Sequence, residues 1–182
     1  MDSDALVHLV QAALPDVRFE SVLSVDRQPT VYIERDAVLH VLRELRFRPE
    51  LNFDFLAELT AIDYWPREPR FEVVYIVVST EHHHRLRVKV RLHGEDAHVA
   101  DVCGIWPAAN WLEREVWDLF GIEFVDHPDP RRLLMPEDWE GFPLRKDYPV
   151  QVKLPARVSE PIQVTEQEFR ENLIRDRLVR RE

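Results

Sequence analysis

Two groups of residues in this 182-residue chain have side chains that could hold a metal ion. The first group is a run of three histidines, His82 to His84. Neighbouring side chains on a hairpin point in alternating directions, so three of them do not readily converge on one ion. We therefore interpret this run as a solvated turn between two strands.

The second group is the stretch His127-Pro128-Asp129, which follows Asp126 directly. Two carboxylates and an imidazole this close together could serve a metal-dependent hydrolytic enzyme. However, the prolines stiffen the backbone and direct the side chains apart, and no nucleophile pattern such as GxSxG accompanies them. A stand-alone metal-dependent enzyme centred on Asp126, His127 and Asp129 stays an alternative.

The single cysteine, Cys103, limits the cofactors that the chain can hold by itself. Iron–sulfur clusters and structural zinc sites usually need more than one thiolate, so neither is expected here in its common form. We expect Cys103 to be a small buried apolar residue. The sequence also has no GxGxxG and no Walker A pattern, so nothing in it supports nucleotide binding. We predict no catalytic, cofactor-binding or metal-binding residue in this chain.

The charge balance argues against two kinds of partner. The chain has 24 Lys and Arg against 34 Asp and Glu, a net charge of −10 at pH 7. Such a chain lacks the excess of cations that nucleic acids and anionic membrane surfaces attract. No apolar run approaches the roughly 20 residues that span a bilayer, and the acidic start of the chain has no basic leader pattern. A bacterial cytoplasmic location is the simplest interpretation.

The spacing of apolar residues predicts an α+β domain over residues 1–120. We expect two layers, an antiparallel or mixed sheet with helices mainly on one face. Helices are predicted at 4–14, at 36–47 with Asp36 as the cap, and from Pro107 to Phe120. Strands are predicted at 17–25, 30–34, 71–79, 85–92 and near 98–102, while 53–65 is compatible with either a helix or a strand.

Two of these strands form the centre of the predicted sheet. Residues 71–79 are almost continuously apolar and β-branched, as in a strand covered on both faces. Residues 85–92 alternate between apolar side chains and cations, and we expect the two segments to form an antiparallel hairpin. The cations form a basic stripe, which we interpret as a solvated face balanced by nearby acids, with docking of an acidic partner as the alternative. The members of the basic stripe are Arg85, Arg87, Lys89 and Arg91.

The chain from residue 121 to about 163 shows no convincing periodicity. So long a loop is unusual in a compact domain unless it is functional or held by a partner. From Trp106 to Pro149 the sequence mixes aromatic residues with arginine, a composition typical of interface anchors. We therefore interpret the loop from residue 121 to about 163 as a strap that lies across another subunit, followed by a helix over 165–182 with a capping box at its start. Residues 121–182 form the second predicted unit.

The helix before the strap carries a recognisable run. Glu113 to Ile122, EREVWDLFGI, resembles the signature of the complex I 30-kDa subunit family, whose bacterial members are the C subunits of NADH-quinone oxidoreductase. The resemblance covers about residues 50–150, and Pro130 stands where the family commonly has leucine. Within the helix, Arg114 and Asp118 are spaced to pair with each other. The other matching segments are Leu59–Tyr64, His127–Asp129, Arg131–Leu134, Pro136–Gly141 and Pro143–Pro149.

The resemblance implies a non-catalytic structural subunit in the peripheral arm of a proton-translocating NADH:quinone oxidoreductase. It implies that FMN and iron–sulfur clusters lie in partner subunits, and that the chain clamps the 49-kDa-type (D) subunit beside other peripheral-arm subunits. Association with the bacterial plasma membrane would be peripheral, on its cytoplasmic side and through the complex. The equivalent subunit of a membrane-bound hydrogenase or a ferredoxin-fed complex is the alternative. The candidate interface residues are Arg114, Asp118, His127, Asp129, Arg131, Arg132, Trp139, Arg145, Lys146, Asp147 and Tyr148.

Overall fold

The computed structural model describes residues 3–149 and 167–171. Within these residues the fold is a mixed α+β domain, as the apolar spacing predicts. The segment 53–65, for which the sequence allows either a helix or a strand, contains a strand. In chain order the elements are α1 (Ser3–Ala13), β1 (Glu20–Leu23), β2 (Pro29–Ile33), a 3₁₀ turn (Arg35–Ala37), α2 (Val38–Phe47), β3 (Phe55–Asp63), β4 (Phe71–Ser79), β5 (His84–Leu92), β6 (His98–Ala100), α3 (Ala109–Phe120) and β7 (Glu123–Val125).

The main sheet has five strands in the order β1-β2-β5-β4-β3. β4 and β5 form the predicted antiparallel hairpin, with Tyr75 opposite Val88. β2 pairs with β5 in parallel, which makes the sheet mixed and places β5 at its centre. The inward side chains of β5 are buried in one apolar core together with residues of α1, α2 and α3. The helices therefore cover the apolar face of the sheet, in agreement with the predicted two-layer arrangement.

The basic stripe lies on the face of β5 away from this core. Three of its cations make ion pairs with acids of neighbouring strands or turns, as a solvated and internally balanced face requires. The stripe therefore offers a partner little unbalanced positive charge. These pairs are Arg87–Asp26 at 2.6 Å, Lys89–Glu72 at 2.8 Å and Arg91–Glu20 at 2.8 Å.

A second, two-stranded sheet lies beside α3, where β6 pairs with β7 in parallel. The sequence predicted no strand at Glu123–Val125, because three residues are too few to display a periodicity. The turn between α3 and β7 depends on Gly121, whose φ of 71° is left-handed. A side chain at Gly121 would also collide with the ring of Phe142. This glycine thus ends α3 and allows the later part of the strap to lie against it.

Several boundaries differ from the sequence prediction. Asp36 does not cap α2, because a 3₁₀ turn precedes the helix and Ala37 occupies the cap position. The first compact unit extends to Pro149 rather than to Phe120, so the first part of the strap belongs to it. Residues 167–171 are helical, as predicted, while the rest of 165–182 and the strap beyond Pro149 lie outside the described residues. Of the described helices, none combines the length and apolarity needed to cross a membrane.

Candidate functional site

Helix α3 carries two acidic side chains that are completely buried, Glu113 and Asp118. Burial of a carboxylate is costly unless hydrogen bonds and opposite charges replace water. The strap and the loop before α3 supply these groups from the same chain. The two acids are therefore the points at which α3 binds the strap and the loop before it.

Asp118 anchors the middle of the strap. One oxygen, Oδ1, accepts a hydrogen bond from the Arg132 guanidinium at 2.6 Å. The other, Oδ2, accepts backbone N–H bonds from three successive residues, Leu133, Leu134 and Met135, at 3.1, 2.7 and 2.8 Å. Burial alone would raise the pKa of Asp118, but these bonds outweigh burial and hold the pKa below its ordinary value. Asp118 is thus an ionised anchor for the strap at neutral pH.

Arg132 extends this anchor along the strap. Besides Asp118, its guanidinium donates to the carbonyl oxygens of Trp139 and Gly141 at 3.0 and 3.3 Å. It lies over the rings of Trp117 and Phe142, 5.6 and 5.8 Å from their centres. One arginine therefore binds α3 to two later points of the strap at once.

Arg114 holds the beginning of the same segment. It donates to the backbone carbonyls of Arg131 and Arg132 at 3.0 and 3.1 Å and pairs with Asp129 at 3.2 Å. The predicted pair between Arg114 and Asp118 was wrong, since each binds the strap rather than the other. Four residues of spacing on a helix allow such a pair, but tertiary partners replaced it here.

A further anchor holds the end of the described strap against β3. Asp63 accepts a hydrogen bond from Lys146 N–H at 2.9 Å and pairs with Arg70 at 2.9 Å. Arg70 also binds Asp147 at 2.6 Å, while Arg145 donates to the carbonyl oxygens of Phe120 and Gly121. Although burial acts to raise it, Arg70 and the backbone donors lower the pKa of Asp63 to about 2.

Glu113 has a different set of partners. Its Oε1 accepts Val102 N–H at 2.8 Å, and its Oε2 accepts the Cys103 thiol at 3.3 Å. Nε2 of His127 lies 3.7 Å from Oε2. Burial raises the pKa of Glu113 to about 7, because the Val102 and Cys103 hydrogen bonds only partly offset it. The thiol pKa of Cys103 is also raised, first by its own burial and then by the charge of Glu113.

Cys103, Glu113 and His127 are of types that can ligate a metal ion, and they lie close to one another. Their ligand atoms lie within 4.8 Å of one another. However, Nδ1 of His127 accepts the N–H of Asp129 at 3.0 Å, so the hydrogen of the neutral ring lies on Nε2, facing Glu113. A ligating imidazole needs the opposite arrangement, with a free lone pair towards the ion and its other N–H donated outward. The hydrogen bonding therefore favours a proton-holding cluster over a metal centre.

The side chains of Asp126, His127 and Asp129, which the alternative of a metal-dependent enzyme requires, do not form a common site. Among the described residues, Asp129 is bound to Arg114 and Arg131, not to a shared site with Asp126. In the histidine run, Nε2 of His82 lies 3.0 Å from the carbonyl oxygen of Pro49, in line with a turn. The Glu113 cluster has no signal in the sequence, because its members lie on three separate segments.

Most of the predicted interface side chains contact the chain's own strap. Tyr148 stacks on Trp139 with ring centres 6.5 Å apart and donates to the Glu140 carbonyl oxygen at 3.1 Å. Arg131 is bound to Asp129 but is largely exposed. The apolar side chains that this scaffold leaves in solvent are different residues, Leu134 at 61% and Leu144 at 51% exposure. Their positions carry no distinctive sequence signal, since exposed leucine is common.

The family comparison agrees with the signature on α3. The model of the family "Respiratory-chain NADH dehydrogenase, 30 Kd subunit" matches residues 31–153, about two thirds of the chain. The chain belongs to this family. It is 44% identical to the C subunit of NADH-quinone oxidoreductase from Roseiflexus sp. (strain RS-1) over 150 residues, covering 82% of this chain and 86% of the relative. For the C subunit from Hyphomonas neptunium the identity is 42% over 153 residues, with 82% and 75% covered.

Two solved structures share the fold. One is described as Nqo5 of the trypsin-resistant fragment (1-134) in P63 form, with 32% identity and a TM-score of 0.56, covering 71% of this chain and 99% of that one. The other is from the membrane-bound sulfane sulfur reductase, an archaeal respiratory membrane complex, with 26% identity and a TM-score of 0.70. It covers 91% of this chain and 99% of that one. The chain is thus a 30-kDa-type subunit of a multi-subunit respiratory complex.

Proposed function

We propose that the chain is a structural subunit in the peripheral arm of a proton-translocating NADH:quinone oxidoreductase, where its strap clamps the 49-kDa-type subunit. In this role the chain carries no catalytic group, and the FMN and iron–sulfur clusters that take electrons from NADH to quinone lie in partner subunits. The complex would hold it at the cytoplasmic side of the bacterial plasma membrane. Support comes from relatives that are named as C subunits of NADH-quinone oxidoreductase.

The observation that carries this proposal is that the strap is bound to the chain's own α3 and β3 and leaves apolar side chains exposed. The strap is bound to α3 through the Arg132–Asp118 pair and to β3 through the hydrogen bond that Lys146 N–H donates to Asp63. A segment fixed in this manner loses little conformational freedom when a partner binds, so more of the contact energy appears as affinity. Leu134 and Leu144 remain exposed on it. A fixed backbone that presents apolar side chains is what a clamp on a neighbouring subunit requires.

This arrangement changes the expected roles of the candidate interface residues. Arg114, Asp118 and Arg132 fix the strap from its inner side, because their polar atoms bind its backbone. The partner would then contact the strap's outer side, including Leu134, Leu144 and the exposed guanidinium of Arg131. Truncation of the inner residues should therefore loosen the strap itself. Truncation of the outer residues should instead remove only the contact with the partner.

A double Leu134→Asp, Leu144→Asp variant tests the clamp. Both side chains are exposed, so we expect the purified variant subunit to keep its melting temperature but to lose the 49-kDa-type subunit in affinity purification from solubilised membranes. Leu39→Asp is the matched control, since Leu39 is an exposed leucine on α2. It should recover the partner normally. Full assembly of the double variant, with unchanged NADH:quinone activity, would refute the clamp.

A second assignment rests on the structural likeness to a subunit of the sulfane sulfur reductase complex. The equivalent subunit of a related membrane-bound complex, such as a hydrogenase or a ferredoxin-fed enzyme, would use the same strap. The identity of the co-purifying subunits separates the two assignments. Flavin and NADH oxidation in the isolated complex support the first, and hydrogenase-type subunits without NADH oxidation support the second.

A further inference from the structure

Glu113 lies in a buried cluster that contains no lysine or arginine partner among its described contacts. The groups facing it are Val102 N–H and the Cys103 thiol from the loop before α3, and the imidazole of His127 after β7. Two more ionisable groups belong to the cluster: Asp101, whose charge acts on Glu113, and Tyr75, whose hydroxyl is affected by the charges of both acids. Arg114, the next residue on α3, is bound to Asp129 and to strap carbonyls.

Two weak acids of this cluster, the hydroxyl of Tyr75 and the thiol of Cys103, remain in one state near neutral pH. Burial raises the pKa of the Tyr75 hydroxyl well above its ordinary value, and the negative charges of Glu113 and Asp101 add to this. Burial and Glu113 likewise raise the pKa of the Cys103 thiol. Both groups therefore stay protonated, and Glu113 is the acid of the cluster whose pKa is close to 7.

His127 links this cluster to the strap through its two ring nitrogens. Nε2 faces inward, 3.3 Å from the carbonyl oxygen of Asn110 and 3.7 Å from Glu113 Oε2. Nδ1 faces outward and accepts Asp129 N–H. Only 5% of the His127 side chain is exposed, so water cannot easily replace either contact. The ring can keep both contacts only while it is neutral, because protonated imidazole has no acceptor.

We propose that Glu113 and His127 form a buried proton-binding site, and that a second proton taken up by this site releases the first turn of the strap, residues 127–131. The first proton neutralises Glu113 and leaves the imidazole unchanged. A second proton from water must reside on Nδ1 of His127, where Asp129 N–H already points. Two donors then face each other, and the hydrogen bond that closes the turn is lost.

Loss of that bond affects the contact between the strap and α3. The carboxylate of Asp129 binds Arg114 at 3.2 Å and Arg131 at 2.6 Å, so its position depends on the turn that His127 closes. The Asp118 anchor should remain, because its carboxylate already carries a guanidinium and three N–H donors. Acid should therefore loosen the beginning of the strap while its middle stays bound.

The test uses the full chain labelled with ¹⁵N, with hydrogen exchange and ring-nitrogen shifts followed from pH 8 to pH 5. At pH 8 we expect the His127 ring as the Nε2–H tautomer and a protected Asp129 amide. As His127 gains its second proton, the protection factor of the Asp129 amide should fall about tenfold or more, while the amides bound by Asp118 keep theirs. Proton uptake by His127 with an unchanged Asp129 amide would overturn the proposal.

Two variants separate proton binding from simple structural damage. His127→Asn keeps an acceptor beside Asp129 N–H but cannot titrate, so protection there should become independent of pH. Glu113→Gln resembles the protonated carboxyl, so the Asp129 amide should still lose protection when His127 gains its second proton, at nearly the wild-type pH. His40→Asn, on the exposed side of α2, should retain the wild-type profile. The same acid-induced loss in His127→Asn as in the wild type would also overturn the proposal.

Discussion

Glu113 and Asp118 are two carboxylates on one helix, five positions apart and both without solvent exposure. Asp118 receives three backbone N–H donors and a guanidinium, and its pKa is lowered despite burial. Glu113 receives one backbone N–H, a thiol and the edge of an imidazole, and its pKa is raised to about 7. Burial is common to both, so the number and charge of the donors decide the state of each acid. Of these two acids, Asp118 is therefore a fixed anchor of the strap and Glu113 a titratable contact.

The largest effect is expected from Asp118→Asn. The amide cannot accept three N–H bonds as a carboxylate does, and Arg132 loses its counter-charge in a mostly buried position. Removing one partner of a buried ion pair costs roughly 3–5 kcal/mol. Urea unfolding at pH 7 measures this loss. Glu115→Gln, at an exposed position of the same helix, is the control, and an equal stability for both variants would show that Asp118 is not an anchor.

The change in stability caused by Glu113→Gln should have the opposite sign to that of Asp118→Asn, and it should depend on pH. A carboxylate with a native pKa near 7 binds more protons when folded than when unfolded between pH 4.5 and 7. Its contribution to stability is therefore present below about pH 4.5 and is lost as pH rises through 7, by roughly 3 kcal/mol. The stability of the glutamine variant relative to the wild type should increase between pH 5 and pH 8. A difference that does not vary with pH would show that Glu113 is already ionised at pH 5.

The smallest effect is expected from Asp26→Asn on the sheet face. The Arg87–Asp26 pair has the same 2.6 Å separation as Arg132–Asp118, but the Asp26 side chain is 51% exposed. Water and salt screen such a pair, so its removal should shift the unfolding midpoint no more than Glu115→Gln does. A loss as large as that of Asp118→Asn would mean that distance, rather than burial, determines the value of these ion pairs.

The parts of the fold that depend on local pattern could be predicted from the sequence. The alternation in 85–92 and the apolar run in 71–79 indicated the central hairpin, and helical spacing indicated α1, α2 and α3. The parallel pairing of β2 with β5 and of β6 with β7 was not predicted, because these contacts join distant segments.

For the site, the sequence predicted the protein family but not which residues contact each other. The run on α3 indicated the family, but the partners of its charges did not follow from their spacing. Arg114 and Asp118 were expected to pair along the helix and instead bind the strap. Glu113 is followed by Arg114 and Glu115 in the sequence, a setting typical of an exposed helix face, yet the loop at Val102 and Cys103 buries it. Its role became visible only once the packing was known.

The clamp requires that the chain's own buried carboxylate, Asp118, holds the strap in place before any partner binds. Hydrogen exchange of the isolated full chain at pH 7 measures this at the amides of Leu133, Leu134 and Met135. Because all three donate to one buried oxygen, we predict that they exchange at least about a hundredfold more slowly than unstructured amides and lose this protection in Asp118→Asn. Exchange of these amides at the unstructured rate in the wild-type chain would contradict a strap that is fixed in advance.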